Sequence, residues 1–398
     1  MMWDLNYYYY LSYRTVQNLL LYPTIKLSLS DFVICTLFRR KMFGTKLLSP
    51  VVLLLFCLLI EDVKCLSSVK SASGYNIKKN VPIVIVPGFG NDSFDYVAPL
   101  GQPEEVGFVS CLARRGLENV KIVPIKRWEW VKVAGGLTDI NFYRNCALPT
   151  GNGYGWYVKR IQQTINEAYK ECGSDEKVII MGHSAGGWLA RAAMGDGTCF
   201  PGTNDDDEEE ETLTVRACDR IQCLVTLGAV HKPPKVEGSC VTRGALSYTD
   251  ETYPGAFLQK DGISYISVGG NAITGNNDVI ENGSENETKK NKRSPEQVAF
   301  VSYEAVASDG TLTGDGVVPL DWAMLEGSTQ LRLDNVVHSI NEAGTTDPTD
   351  RWYGAEKSID LWLPTVLKET GLLKSAEIKI SNFLPSFPKW FPQLQVTE

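Results

Sequence analysis

The sequence predicts an α/β fold, a mostly parallel central sheet with helices on both faces. Two observations carry this expectation. Continuous apolar runs such as VPIVIV (81–86) and KVIIMG (177–182) are what strands buried on both faces require. Between such runs lie segments with apolar residues at helical spacing, such as YGWYVKRIQQTINEAYKECG (154–173), joined to the strands by short turns.

Taken in order, 81–86 is the first strand and stops at Pro87-Gly88. Residues 93–115 carry spaced apolar positions and run into Gly116, which predicts a helix with a glycine stop. VKIVPI (120–125) reads as the second strand and 154–173 as the next helix. KVIIMG is a strand, and AGGWLARAAMG (185–195) the helix after it. IQCLVTLG (221–228) and ISYISVGG (263–270) are further strands. TQLRLDNV (329–336) alternates apolar and polar residues, as an edge strand covered on one face does. AEKSIDLWLPTVLKETG (355–371) is a last helix that Pro364 should kink or restart. One domain over 81–371 results, with insertions at 199–217 and 271–297 and a long connection over 232–258.

Net charge is −8, and the run DDDEEEE at 205–211 supplies most of it, so no basic face is left to bind nucleic acid. Residues 1–41 show no clean period and read as an upstream extension. RRKMFGTKLLSPVVLLLFCLLI (39–60) then places a basic stretch before the apolar run Leu47–Ile60, with Val63-Lys64-Cys65 as a cleavage site, so 42–65 reads as a secretory signal peptide. A membrane anchor is the second reading, disfavoured because a span takes about 20 apolar residues. Residues 66–80 read as a linker. The absence of Asp and Glu over 63–91 also suits a signal-plus-transit leader to a plastid. The secretory reading predicts a mature N-terminus just after residue 65; N-terminal sequencing that recovers 42–60 in a soluble cytosolic protein would overturn it.

Secretion would make the sequons at Asn91, Asn282 and Asn286 glycosylation candidates, the last two in a polar stretch, 275–297, that reads as an exposed loop. Seven cysteines after Cys65 show no CxxC spacing, so no zinc site is indicated. The tail, 372–398, concentrates Phe383, Phe387, Trp390 and Phe391 among prolines, a composition that suits a membrane interface or packing over the domain.

The chemistry concentrates in VIIMGHSAGGWLAR (178–191). A serine hydroxyl is a poor nucleophile unless a base takes its proton, an acid orients the base, and donors receive the oxyanion. Strand, then Gly182-x-Ser184-x-Gly186, then helix is the nucleophile-elbow pattern, with small residues letting strand and helix approach. His183 belongs to the elbow, and its ring should point away from the hydroxyl. Elbow hydrolases follow the order serine, acid, histidine. Of the three histidines only His338 leaves room for an intervening acid after the preceding strand; His231 is the weaker candidate. Asp315, between Gly314 and Gly316, is the favoured acid, with Asp309, Asp321 and Asp334 as competitors. Backbone N–H groups of Ala185 and Phe89, the latter in the Pro87–Gly90 loop, are the expected oxyanion donors. Neither metal nor organic cofactor is called for.

Together these motifs resemble the α/β-hydrolase superfamily over about 81–370, and within it the lipase and GPI inositol-deacylase-like branch. Gly-Asp-Gly-Val-Val-Pro (314–319) followed by His338 resembles the acid–histidine spacing of bacterial lipases, and Pro-Gly-Phe-Gly (87–90) their oxyanion loop, with Pro87 in place of histidine. Arg127-Trp128-Glu129-Trp130, Gly182–Arg191 and Tyr353-Gly354 resemble a group of plant and algal α/β hydrolases of unassigned substrate. Gly228-Ala229-Val230-His231 departs from the deacylases' Gly-Thr-Pro-His. The resemblance implies hydrolysis of an ester, of an acylated lipid above all, and the aromatic tail adds association with a membrane surface. GPI inositol-deacylase-like activity, a silent fold used for binding, and a thioesterase or peptidase on the same fold are the alternatives.

Overall fold

The computed structural model describes residue 77 and residues 81–172, 176–199, 215–278, 293–343 and 345–373. The segments 1–65 and 374–398, the acidic run, Asn282 and Asn286 lie outside them. Ile77, within the linker segment, is buried in the core.

Six strands form the central sheet: β1 (Ile83–Val86), β2 (Val120–Ile122), β3 (Val178–His183), β4 (Ile221–Leu227), β5 (Ser264–Asn271) and β6 (Thr329–Asp334). Their order is β6-β5-β4-β3-β1-β2, and every neighbouring pair is parallel. The helices are α1 (Phe108–Ala113), α2 (Gly155–Glu171), α3 (Ala185–Ala193), α4 (Ala245–Thr252), α5 (Pro295–Ala307) and α6 (Glu356–Glu369).

The unbroken apolar runs are explained by burial on two sides. Val84 and Val86 face one core with Tyr157, Ile161 and Leu189 of α2 and α3. Ile83 and Ile85 face the other with Phe108 and Leu112 of α1 and Trp362, Leu363 and Val366 of α6. Alternate residues of one strand thus fill both layers. Edge strand β6 is more open, which is why its sequence alternates.

Because β1 lies between β2 and β3, Val86 pairs with Gly182. The loops leaving the carboxyl ends of β1 and β3 therefore emerge side by side, where the strand order reverses and open sheets bind ligands. This sheet, with a sharp strand-to-helix turn at Ser184 between β3 and α3, is the α/β-hydrolase fold.

Three expectations needed correction. Residues 93–115 are not one helix. They form short 3₁₀ turns at Ser93–Tyr96, Pro99–Gly101 and Glu104–Val106 before α1. Pro99 and Pro103 remove amides, and a side chain at Gly107 would stand 1.9 Å from the Val97 carbonyl oxygen, so the chain must turn there. Helix α6 runs through Pro364 without restarting, which removes that half of the expectation; Asp360, whose carbonyl loses a partner, lies on the exposed side. The 275–297 stretch is not all loop: α5 starts at Pro295, capped by Ser294. Just before this stretch, Ile273–Thr274 pairs antiparallel with Thr313–Gly314. At the other insertion Thr198–Cys199 pairs with Val215–Arg216, closing its base. Among the described residues no helix is long and apolar enough to cross a membrane.

Candidate active site

Ser184 occupies the turn between β3 and α3 with φ 54° and ψ −129°, a strained conformation for a residue with a side chain. Its N–H is held by the Leu227 carbonyl at 3.0 Å. The flanking glycines are there because backbone fills the space a side chain would take. A Cβ at Gly182 would lie 2.5 Å from the Gly187 Cα, and one at Gly186 would lie 2.1 Å from the Val86 carbonyl oxygen.

The Ser184 hydroxyl lies 2.8 Å from Nε2 of His338. Nδ1 of His338 lies 2.8 Å from Oδ2 of Asp315. A carboxylate only accepts, so Nδ1 carries the hydrogen and Nε2 is free to receive the serine proton. His338 follows β6, and its backbone N–H donates to the Asp315 carbonyl at 2.9 Å. Asp315 projects from a tight turn in which Gly316 has φ 96°. The Asp315 Oδ1 accepts the N–H groups of Val317 and Val318 at 3.0 and 2.7 Å, and Tyr353 donates to Oδ2 at 2.8 Å. The three residues placed by sequence order thus form one continuous hydrogen-bonded chain.

The competing residues lie elsewhere. Nε2 of His231 is bonded to the Thr226 hydroxyl at 3.0 Å inside the core, and burial holds its basicity well below the usual histidine range. Asp309 accepts from Thr311, and Asp321 pairs with Arg332, both at the surface. Asp334 is exposed at the end of β6.

His183 turns away from the serine, as expected, into a buried network that the sequence did not announce. Its Nε2 contacts the His338 carbonyl oxygen at 3.0 Å, so Nε2 carries the hydrogen and Nδ1 accepts from the Tyr96 hydroxyl at 2.9 Å. The Tyr96 oxygen in turn accepts the Gly88 N–H at 3.1 Å. Burial, followed by the proximity of His338, lowers the His183 pKa to about 3, so the ring is a neutral bridge between the loop after β1 and the loop carrying His338.

The loop after β1 is tied down on all sides. Tyr157 donates to the Pro87 carbonyl and Trp130 to the Asn91 carbonyl, both at 2.9 Å. Phe89 leans on Trp130, ring centres 5.0 Å apart. A Cβ at Gly88 would lie 2.7 Å from that of Ser184, which shows how closely the loop approaches the hydroxyl. Neither the Phe89 nor the Ala185 N–H has an acceptor among the described residues, as oxyanion donors require. The sequon residue Asn91 sits half-buried in this loop, its N–H donated to Gly88. Among the described residues no group of three or more His, Cys, Asp or Glu side chains is placed to hold a metal ion.

The sequence matches no protein-family model and no curated protein. Among solved structures it is similar to a truncated carbohydrate esterase from gut microbiota, at 11% identity and a TM-score of 0.35, covering 74% of this chain and 88% of that one. It is similar to an acetyl ester-xyloside bifunctional hydrolase from Caldicellulosiruptor lactoaceticus, at 12% identity and TM-score 0.35, over 75% and 86% of the chains. It is also similar to the RedJ thioesterase of the prodiginine biosynthetic pathway in Streptomyces coelicolor, at 12% identity and TM-score 0.26, over 73% and 85%.

Proposed function

We propose that the protein is a serine hydrolase that cleaves carboxylic esters of acylated lipids. The observation that carries this reading is the chain Ser184 Oγ, His338 Nε2 and Nδ1, Asp315 Oδ2, with 2.8 Å at both contacts. His338 takes the proton as Ser184 attacks the ester carbonyl, and Asp315 holds the ring in the receiving tautomer. The developing oxyanion is received by the backbone N–H groups of Phe89 and Ala185. His338 then protonates the leaving alcohol, and water reverses the sequence to release the acid and free Ser184.

The acyl-lipid part is supported by the surroundings of the loop after β1. Phe89 and Phe94 are 44% and 52% exposed, and the neighbouring 127–143 segment exposes Trp128, Val131, Ile140 and Tyr143. Exposed apolar side chains in such numbers favour an apolar ligand or surface. A fluorophosphonate probe is expected to label Ser184, and nitrophenyl esters of long acyl chains to be turned over faster than the acetate. Labelling absent from folded protein would remove the hydrolase reading; labelling with a preference for acetate would remove only the lipid part.

A further inference from the structure

We propose that Tyr353 is a positioning residue that tunes the relay by drawing charge from Asp315 and so loosening the hold of Asp315 on the His338 proton. This rests on the hydrolase reading above. The Tyr353 side chain is wholly buried. Its oxygen accepts the Gly270 N–H at 2.7 Å, which leaves its own hydrogen for Oδ2 of Asp315 at 2.8 Å. That is the same oxygen that accepts from His338. With Val317 and Val318 on Oδ1, the carboxylate has four donors, and Tyr353 is the one that competes directly with the imidazole.

The fold makes room for this contact at two strand ends. Gly228, after β4, has φ 57°, and a Cβ there would lie 2.6 Å from the Tyr353 ring and 2.7 Å from Oδ2 of Asp315. A Cβ at Gly270, in β5, would lie 3.0 Å from the Asp315 Cβ and 2.2 Å from the Val336 carbonyl oxygen. The Tyr353 carbonyl is fixed by the Trp362 indole N–H of α6 at 3.1 Å. Burial, and then the Asp315 charge, raise the Tyr353 pKa well above the ordinary tyrosine range, so the phenol remains a donor. The other titratable groups facing the pair are His183, whose ring is 5.0 Å from that of His338, Tyr96 behind it, and Tyr303. Tyr303 of α5 spends its hydroxyl on Ile273 and Gly316 rather than on the carboxylate.

A hydrogen bond donated to a carboxylate disperses its charge, so an imidazolium beside it is held less firmly. Removing the hydroxyl strengthens that hold, and the neutral ring that Ser184 needs then appears only at higher pH. For Tyr353→Phe the acid limb of kcat/KM is expected to move up by roughly half a pH unit to one unit, which is about a three- to tenfold loss on that limb. The alkaline plateau should stay within about threefold of wild type, below what loss of an oxyanion donor costs. A limb left in place with a lowered plateau would make Tyr353 a packing residue and overturn the proposal. Replacing the phenol at 353 by the more acidic 3-fluorophenol, through nonsense suppression, should move the limb the opposite way and covers the case in which the Phe variant does not fold. Imidazole NMR reads the same displacement without turnover. If wild type neither labels with fluorophosphonate nor cleaves esters, the hydrolase reading fails on its own. A His338 signal that titrates identically with and without the hydroxyl would sink the Tyr353 proposal alone.

Discussion

Ser184→Ala and His338→Ala are each expected to lose nearly all ester turnover, on the order of 10⁴- to 10⁶-fold, and the double variant to be little worse than either single one. The reason is geometric. One proton path joins the two side chains at 2.8 Å, so breaking it at either end removes the same step. Asp315→Asn should fold, because the amide oxygen can still accept from Val317 and Val318, yet lose on the order of 10⁴-fold as the histidine loses its tautomer and orientation. His231→Ala should keep turnover within about tenfold and appear instead as lowered stability, since it empties a buried site bonded to Thr226. The measurement is turnover of a nitrophenyl acyl ester by purified variants compared at matched fractions folded. An inactive His231→Ala beside an active His338→Ala would mean that the base is misassigned.

What was legible in the sequence follows from where the constraint lies. The strands β1, β3 and β4 read as apolar runs because they are buried on both faces, and no other pattern satisfies that burial. Ser184, Asp315 and His338 were legible because each requires a local backbone: glycines around the elbow, glycines around Asp315, a strand end before His338. The failed helix at 93–115 has a fitting apolar period, but Pro99, Pro103 and the crowding at Gly107 decide the backbone. Helix α5 does carry a start signal, Ser294-Pro295-Glu296-Gln297, whose capping box the structure shows; the polar run before it has the composition of a loop. The roles of Tyr96, Tyr303 and Tyr353, and the buried network into which His183 turns, were not legible. Their roles exist only through contacts such as the 38-residue separation between Tyr353 and Asp315, and a lone tyrosine has no spacing rule.

The elbow glycines offer a test of the fold that is separate from the chemistry. Gly186→Ala is expected to cost at least about 3 kcal/mol or to abolish folding, the range of severe overpacking. The added Cβ would stand 2.1 Å from the Val86 carbonyl oxygen and 2.9 Å from that of Pro87. Both are backbone atoms, and Val86 is pinned by its pairing with Gly182 in the middle of the sheet, so neither can swing aside as a side-chain tip would. Relief requires α3 to move away from β1, which would also pull Ser184 from His338. Gly90→Ala gives the contrast within the same site. Gly90 has φ 80°, but a Cβ there meets nothing within 4 Å, so the cost is conformational only, about 1–2 kcal/mol. Thermal and urea unfolding of the two variants should therefore separate a steric from a conformational requirement for glycine. Equal, small losses for both would mean that α3 can withdraw from β1 at little cost, and that the close approach which positions Ser184 is not built into the sheet.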